Sequence, residues 1–173
     1  MARSIMKLEQ KYLSLLQEAH RRQLPDLENI RLCFQTLSLA SAIDRDCASL
    51  LAPYALSEGR FVMLFLLDAA KEGLAPNELA EKAGVTRATV TGLLNGLERE
   101  HLLERHADIS DRRALRVRLT HKGEHVAKQV FEQHSQWIAG LFGNLSAGEQ
   151  AQLGLLLEKV AANLTPVEEE PSI

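Results

Sequence analysis

Small and hydrogen-bonding side chains cluster at the start of one predicted helix in the middle of the chain: Thr86, Arg87, Ala88, Thr89 and Thr91. Threonine hydroxyls bind phosphates or bases, an arginine guanidinium pairs with guanine, and an alanine methyl packs on a thymine methyl. Residues in the first turns of such a helix reach base edges in the major groove. The cluster predicts a surface that reads duplex DNA, and a solvated helix face is the alternative for each residue taken singly.

A second polar group follows in a turn between two short segments that are predicted to pair as strands: Asp111, Arg112 and Arg113. A narrow minor groove concentrates negative potential and attracts an inserted arginine. An exposed ion pair between Asp111 and Arg113 would contribute only about 0–1 kcal/mol, so its use would be to orient the turn. The alternative is a solvated hairpin with ordinary surface charge. An arginine-bearing hairpin directly after a DNA-reading helix favours a second DNA contact.

The first cluster needs a scaffold, and the preceding residues predict a helix-turn-helix. Ala80 is small where two helix axes would come close, and Gly84 suits the left-handed backbone of the turn between them. Val85, Val90 and Leu93 are expected to hold the second helix against the first. Such a pattern also arises by chance, so it gains weight from the hairpin that follows it.

Hydrophobic periodicity extends this scaffold over most of the chain and predicts a mainly α-helical fold with one small β-hairpin. The hairpin would be barely stable alone and must rest on the helices before it. The predicted helices and strands are 7–22, 26–52, a helix capped by Ser57, 76–82, 86–100, strands 103–106 and 115–119, 120–142, and a last helix that begins after Ser146.

Four motifs taken together resemble the signature of the MarR family of transcriptional regulators. They are Gly84-Val85-Thr86-Arg87-Ala88-Thr89-Val90-Thr91-Gly92-Leu93-Leu94, then Leu97-Glu98-Arg99, Asp111-Arg112-Arg113 and Leu119-Thr120-His121-Lys122-Gly123. The resemblance covers about residues 27–163. It implies a winged helix-turn-helix joined to an intertwined helical dimerisation region, with Thr86, Arg87, Ala88, Thr89 and Thr91 on the recognition helix and Asp111, Arg112 and Arg113 on the wing.

The resemblance also implies a division of the chain and a set of partners. Residues 1–56 and 120–164 would form the dimerisation helices, 57–119 the winged helix-turn-helix, and the acidic tail 165–173 is predicted to be disordered. The partners would be double-stranded DNA with a pseudo-palindromic operator, a second copy of the chain, and a small-molecule effector. The implied function is a repressor that a small hydrophobic or aromatic effector releases from DNA.

Two residues depart from the family pattern. His101 stands at the end of the recognition helix, where relatives usually have glycine, and tolerates a left-handed backbone less well. Gly96 lies inside that helix, where a longer polar residue is common, and is expected to cost about 0.5–1 kcal/mol relative to alanine.

The sensed signal has two interpretations. Leu32-Cys33-Phe34 resembles the peroxide-sensing OhrR branch, in which the cysteine is oxidised, but Cys47 and Glu58 stand where that branch has two assisting tyrosines. Cys33 is therefore a redox candidate, and a small buried residue on an apolar stripe is the alternative. The extra N-terminal helix resembles multidrug-efflux regulators of the EmrR type, whose effectors lie between dimerisation region and winged helix. The residues considered for such a crevice are Phe34, Leu37, Phe61 and Phe65.

Composition bounds these interpretations. The net charge is −3 and the pI about 6.1, so DNA binding would need a local basic strip, for which Arg112, Arg113, Arg116, Arg118 and Lys122 are available. No apolar run approaches the roughly 18 residues of a membrane span, and no secretory signal is apparent, which predicts a cytoplasmic protein. His121 and His125 alone make a weak metal site. No catalytic constellation appears, so neither an enzyme nor a cofactor is expected, and a protein-interaction module is the alternative of another class.

Overall fold

The computed structural model describes residues 8–107 and 115–164. Within these ranges the chain is mostly helical with one antiparallel hairpin, so the predicted fold class is confirmed. The elements are α1 Gln10–Arg21, α2 Leu27–Leu51, a 3₁₀ turn Ala52–Tyr54, α3 Glu58–Asp68, α4 Pro76–Ala83, α5 Arg87–Arg99, β1 Leu103–Ala107, β2 Leu115–Leu119, α6 His121–Leu141 and α7 Ala147–Ala161.

The chain forms two compact units, the first extending to Val130 and the second beginning at Phe131. One hydrophobic core holds the first unit together, and α3, α4, α5 and the hairpin all contribute to it. Its largest fully buried side chains are Leu51, Met63, Leu64, Leu79, Val90, Leu94, Leu97, Val117 and Val130. Each such side chain contributes about 1.5–3 kcal/mol relative to exposure, so burial fixes the orientation of α5. The sequence-based division at 56/57, 119/120 and 164/165 stays a prediction.

The helix-turn-helix between α4 and α5 forms as local chemistry predicts. Gly84 ends α4 with a φ of +64°, and Thr86 begins α5 as its N-cap by accepting a hydrogen bond from the Thr89 N–H at 3.2 Å. Val90 of α5 is fully buried, whereas Val85 in the turn between α4 and α5 is 39% exposed. The expectation that Val85 holds the two helices together is therefore wrong. Its place in the turn is fixed by the hydrogen bond from its N–H to the Ala80 carbonyl.

The hairpin pairs Leu103 with Leu119 at its root and Ala107 with Leu115 at its outer end. It is fastened to the α3–α4 connection, because Leu74 and Val117 exchange backbone hydrogen bonds of 3.0 and 2.9 Å. This third backbone partner gives the hairpin the support that an isolated pair of strands lacks.

Two arginines of the predicted basic strip serve this attachment. Arg116 donates from Nη1 to the Gly73 carbonyl at 2.8 Å. Arg118 donates to the backbone carbonyl of Glu72 at 3.0 Å and to its carboxylate at 2.9 Å. Their guanidinium groups hold the α3–α4 connection against β2. The strip is thus not uniformly a DNA-binding surface.

The N-terminal helix packs on α2 in antiparallel fashion. The rings of Tyr12 and Phe34 stack with centroids 4.9 Å apart. One turn along, the Glu9 backbone N–H donates to the hydroxyl of buried Ser38 at 3.3 Å, and Arg45 forms a 3.1 Å ion pair with the Glu9 carboxylate. These contacts show that α1 is an integral part of the first unit.

Much of α2 is exposed although it is the longest helix described. Cys33, Leu37, Cys47 and Leu51 recur at helical spacing along α2, but only Leu51 is buried. Leu37 is among three leucines of α2 that are 43–55% exposed, the others being Leu32 and Leu39. Periodicity identified residues that share a face, but only the C-terminal part of that face, at Cys47 and Leu51, packs on the core, and Cys33 and Leu37 are exposed in the single chain.

The second unit comprises the end of α6 and α7. Ser146 and Glu149 form a capping box at the start of α7, in which the Ser146 N–H donates to the Glu149 carboxylate at 2.8 Å. Between 131 and 164 no residue is buried. Its large apolar side chains that are at least 38% exposed are Phe131, Ile138, Leu141, Phe142, Leu155, Leu156, Leu157, Val160 and Leu164.

None of the helices in the described ranges has by itself the length and apolar character that crossing a membrane requires. The segments Leu27–Tyr54 and Glu58–Asp68 together meet the criteria of length and composition, but they are bent by 66°.

Candidate nucleic-acid interface

The five side chains of the predicted recognition surface are brought together on the first turns of α5. Thr86, Arg87, Ala88, Thr89 and Thr91 are all exposed. The N-terminal end of a helix carries a partial positive charge from its unpaired N–H groups, which favours a phosphate nearby. The surface therefore combines hydrogen-bonding side chains with a favourable local field.

The hydroxyls on this surface already make local hydrogen bonds. The Thr86 and Thr89 hydroxyls lie 2.9 Å apart, and the Thr91 hydroxyl donates to the Arg87 carbonyl at 2.9 Å. The Arg87 guanidinium makes no hydrogen bond or ion pair with the described residues. Arg87 consequently offers free donors to a base edge, whereas the threonines chiefly offer acceptor lone pairs and methyl groups.

The C-terminal end of α5 is clamped by the residues that begin α6. Lys122 donates from Nζ to the Glu100 carbonyl at 2.7 Å, and the Thr120 hydroxyl donates to the His101 carbonyl at 2.8 Å. His101 has a φ of +56°, so this position adopts the left-handed backbone without a glycine. Gly123 lies so close to the Leu102 carbonyl that a Cβ would collide with it. The sequence motif around Thr120 is thereby explained as a helix clamp.

Arg105 of β1 ties the hairpin to the C-terminal half of α5. Its Nη2 donates to the Asn95 side-chain oxygen at 2.5 Å and lies 3.4 Å from the Glu98 carboxylate. These contacts couple the direction of the hairpin to that of α5. Arg105 was not among the predicted site residues, because its partners lie on another element and no local sequence pattern indicates such a contact.

The predicted wing residues Asp111, Arg112 and Arg113 lie outside the described residues. The structure therefore brings together the recognition surface, and the placement of the wing arginines stays a prediction. Among the described residues, the outermost pair of the hairpin is Ala107 with Leu115.

The two cysteines differ in environment, and neither forms a disulfide bond. Cys33 is exposed on α2, so the alternative prediction of a small buried residue is wrong for the single chain. Cys47 is half-buried, and burial, assisted by the nearby carboxylates of Glu58, Asp44 and Asp46, raises the pKa of its thiol. A raised pKa lowers the thiolate fraction, which makes Cys47 a poor nucleophile.

The residues considered for an effector crevice fall into different environments. Phe61 belongs to the buried core, and Phe34 is half-buried under Tyr12. Leu37 and Phe65 are each 43% exposed. Core packing thus explains Phe61. Among residues 8–107 and 115–164, no group of three or more histidine, cysteine or acidic side chains is arranged to hold a metal.

Sequence and structure comparisons find known proteins that are similar to this chain. The model of the MarR family matches residues 56–114. The HTH-type transcriptional repressor YetL of Bacillus subtilis is 31% identical over 156 residues, which cover 87% of this chain and 93% of YetL. Staphylococcus aureus MepR in complex with DNA superposes with a TM-score of 0.63 at 23% identity, over 77% of this chain and 96% of MepR. Streptomyces coelicolor PcaV in complex with its natural ligand gives 0.57 at 25% identity, over 73% of this chain and 91% of PcaV.

These findings agree with the architecture built from the residues. The likeness to MepR supports the fold, and the identity with YetL extends over nearly the whole of both chains. YetL is named as a transcriptional repressor, and the prediction that the chain is not an enzyme is confirmed. The chain belongs to the MarR family of winged helix-turn-helix transcriptional regulators.

Proposed function

We propose that this protein is a repressor that binds a pseudo-palindromic DNA operator as a homodimer and leaves it when a small molecule binds. The observation that carries the proposal is the exposed start of α5, where the Arg87 guanidinium makes no hydrogen bond or ion pair with residues 8–107 and 115–164, while Val90, Leu94 and Leu97 of the same helix are buried in the core. YetL, a relative whose match covers most of both chains, is named a transcriptional repressor, which supports repression over activation.

On DNA, the first turns of α5 would lie in the major groove, with Arg87 directed at a guanine and Ala88 at a thymine methyl. The wing would lie beside the adjacent minor groove, with Arg113 inserted and Asp111 orienting it. Arg105 and Lys122 would contribute by fixing α5 relative to the hairpin and to α6. The two readouts are separable, because Arg87 senses base identity and Arg113 senses groove shape.

The exposed apolar side chains support a homodimer. Soluble monomers rarely expose contiguous apolar patches larger than a few hundred Å². The second unit has no buried residue between 131 and 164, and an isolated helix of about 15 residues is marginal in water. A second copy of the chain supplies the missing partner surface for α6, α7 and the exposed face of α2.

A small-molecule effector is supported by the likeness to PcaV, whose solved structure contains its natural ligand. On this chain, exposed apolar side chains that a hydrophobic or aromatic effector would cover include Leu37 and Phe65. The same effector would have to bind the DNA-free form better than the DNA-bound form in order to release the operator.

The test selects binding duplexes from a random library and compares three variants by fluorescence anisotropy. Arg87→Ala is expected to lose preference at one base pair per half-site, at a cost of about 1–3 kcal/mol. Arg113→Ala is expected to weaken binding to all duplexes and to reduce the magnitude of the negative slope of log K against log salt by about 0.9. Arg118→Ala is the matched control, because Glu72 already holds that guanidinium, and it should leave the slope unchanged.

If no duplex is enriched, the protein-interaction alternative replaces the proposal. If Arg87→Ala and Arg113→Ala bind as the unchanged protein does, the site assignment is wrong although the family remains.

The exposure of Cys33 favours one second candidate, an organic hydroperoxide sensor on the same scaffold. A thiolate attacks the peroxide oxygen, gives a sulfenic acid and releases the alcohol. Under this candidate, cumene hydroperoxide abolishes operator binding, Cys33→Ser prevents the loss, and Cys47→Ser does not. Equal sensitivity of the unchanged protein and Cys33→Ser removes Cys33 as the sensor.

A further inference from the structure

An arginine in the first turn of α3 closes the junction between α2 and α3. Arg60 donates from Nη1 to the Ala55 carbonyl at 3.2 Å. Ala55 follows the 3₁₀ turn at the end of α2 and has a left-handed backbone with a φ of +54°. A non-glycine residue in this conformation is uncommon, so a side-chain hydrogen bond to its carbonyl helps to fix the turn.

The same guanidinium lies against the backbone of the recognition helix at Gly96. Gly96 is buried within α5, and a Cβ built there would come within 2.7 Å of both Nε and Cζ of Arg60. The missing side chain at Gly96 is therefore what makes room for Arg60. This corrects the sequence-based view of Gly96, since the lost helix propensity is accompanied by an inter-helix contact.

A second close approach lies one residue earlier on α3. A Cβ at Gly59 would be 3.2 Å from both terminal methyl carbons of Leu93. The start of α3 thus meets α5 at two neighbouring places, Gly59 with Leu93 and Arg60 with Gly96. Because α5 is one continuous helix, any displacement of its backbone at Gly96 would also displace Arg87 and the threonines near its start.

We propose that Arg60 is a positioning residue for DNA reading, which sets the recognition helix through Gly96 and ties it to the end of α2 through Ala55. The inference rests on the proposed function, in which α5 lies in the major groove. Arg60 is half-buried and packs on the side of α5 that faces the protein, whereas Arg87 is exposed. Its effect on DNA binding is therefore exerted through α5 and not through a phosphate.

The first experiment measures operator affinity against salt for Arg60→Ala, Arg60→Lys, Gly96→Ala and the double variant Arg60→Ala/Gly96→Ala. Arg60→Ala and Gly96→Ala are each expected to weaken operator binding about tenfold, with an unchanged salt slope, because no phosphate contact is lost. In the Arg60→Ala background, Gly96→Ala should add less than about twofold, because the group it displaces is already gone. Arg60→Lys should not restore affinity, since an ammonium lacks the planar fork of the guanidinium.

The second experiment needs no DNA and follows amide hydrogen exchange in the homodimer. Gly96→Ala should speed amide exchange in the C-terminal half of α5 and around Ala55, although alanine favours a helix more than glycine does. Gly92→Ala is the matched control on the same helix, because a Cβ there meets nothing within 4 Å, and it should not speed exchange. Gly96→Ala also keeps the test available where Arg60→Ala does not fold.

The outcomes separate this inference from the proposed function. Full operator affinity in both Arg60→Ala and Gly96→Ala overturns the inference and leaves the function standing. A salt slope lowered by about 0.9 in Arg60→Ala, with rescue by Arg60→Lys, shows a phosphate contact and also overturns it. If the unchanged protein selects no duplex, the proposed function fails. Equal rates of amide hydrogen exchange in Gly96→Ala and Gly92→Ala would by themselves overturn the contact between Arg60 and Gly96.

Discussion

Residues on the recognition surface divide into those that shape α5 and those that are free to bind. Thr86 caps the helix, and its hydroxyl also lies next to that of Thr89. Thr91 donates back to the Arg87 carbonyl, whereas the Arg87 guanidinium makes no hydrogen bond or ion pair with the described residues. The chemistry of recognition is therefore concentrated in Arg87, and the threonines set the shape against which a groove packs.

Thr86→Ala should lower the free energy of unfolding by about 1 kcal/mol, because the Thr89 N–H loses its acceptor at the helix start. Thr86→Ser should retain most of that stability. The measurement is urea denaturation followed by circular dichroism. Thr91→Ala is the control, since its hydroxyl only bonds back within the helix. An equal loss in Thr86→Ala and Thr91→Ala would contradict the capping role.

Elements with strong local signals were predictable from the sequence. Ser57, Thr86 and Ser146 each accept the backbone hydrogen bond expected of an N-cap, and Gly84 adopts the left-handed turn. The strand alternation around Val117 gave the hairpin. These features depend on residues within a few positions of one another, so the linear pattern contains them.

Contacts between elements were not predictable in the same way. Arg105 reaches Asn95, and Arg116 reaches Gly73, 43 residues away in the chain. Charge patterning places these arginines near the surface but does not report their partners. Periodicity likewise placed Cys33 on an apolar stripe without revealing that Cys33 itself is exposed in the single chain.

The start of α7 gives a pH prediction. Hydrogen bonds from Ser146, the backbone N–H first and the hydroxyl second, hold the pKa of Glu149 below its ordinary value of 4.5. Because the pKa is lower in the folded state, this stabilisation is complete above 4.5 and is lost as the pH falls through the folded pKa. The helical signal of the protein should therefore decrease on acidification below about pH 4.5, and Glu149→Gln should show less of that decrease.

Far-UV circular dichroism along a pH titration makes this measurement. Glu158→Gln, on the same helix and outside the capping box, is the control and should behave as the unchanged protein does. Identical acid titrations for Glu149→Gln and the unchanged protein would show that the capping box does not stabilise α7.

Of the two units of the molecule, the first has a core, whereas the second has no buried residue between 131 and 164. The first unit buries its apolar residues around α3, α4, α5 and the hairpin, and the second exposes Leu155, Leu156 and Leu157 of α7. This asymmetry has a physical reason if the core of the second unit is completed by another chain. The dimer then holds two α5 helices at a fixed spacing, which a two-fold operator requires.

Leu156→Asp should convert the dimer into monomers, because it places a charge in the apolar surface that a partner would bury. Light scattering should then give about 19.2 kDa where the unchanged protein gives twice that mass. Gln152→Asp on the same helix is the control for added charge. A monomeric unchanged protein, or a Leu156→Asp variant that stays dimeric, would contradict this assignment of the second unit.

Two copies of α5 that read two half-sites of one operator would leave a two-fold symmetric footprint, and nuclease protection of the DNA flanking the gene measures that footprint. We expect a protected pseudo-palindrome whose half-site centres lie about 10–10.5 base pairs or a multiple of that apart, with protection weakened equally over both half-sites in Arg87→Ala. A protected region without two-fold symmetry, or protection that Arg87→Ala leaves intact, would contradict it.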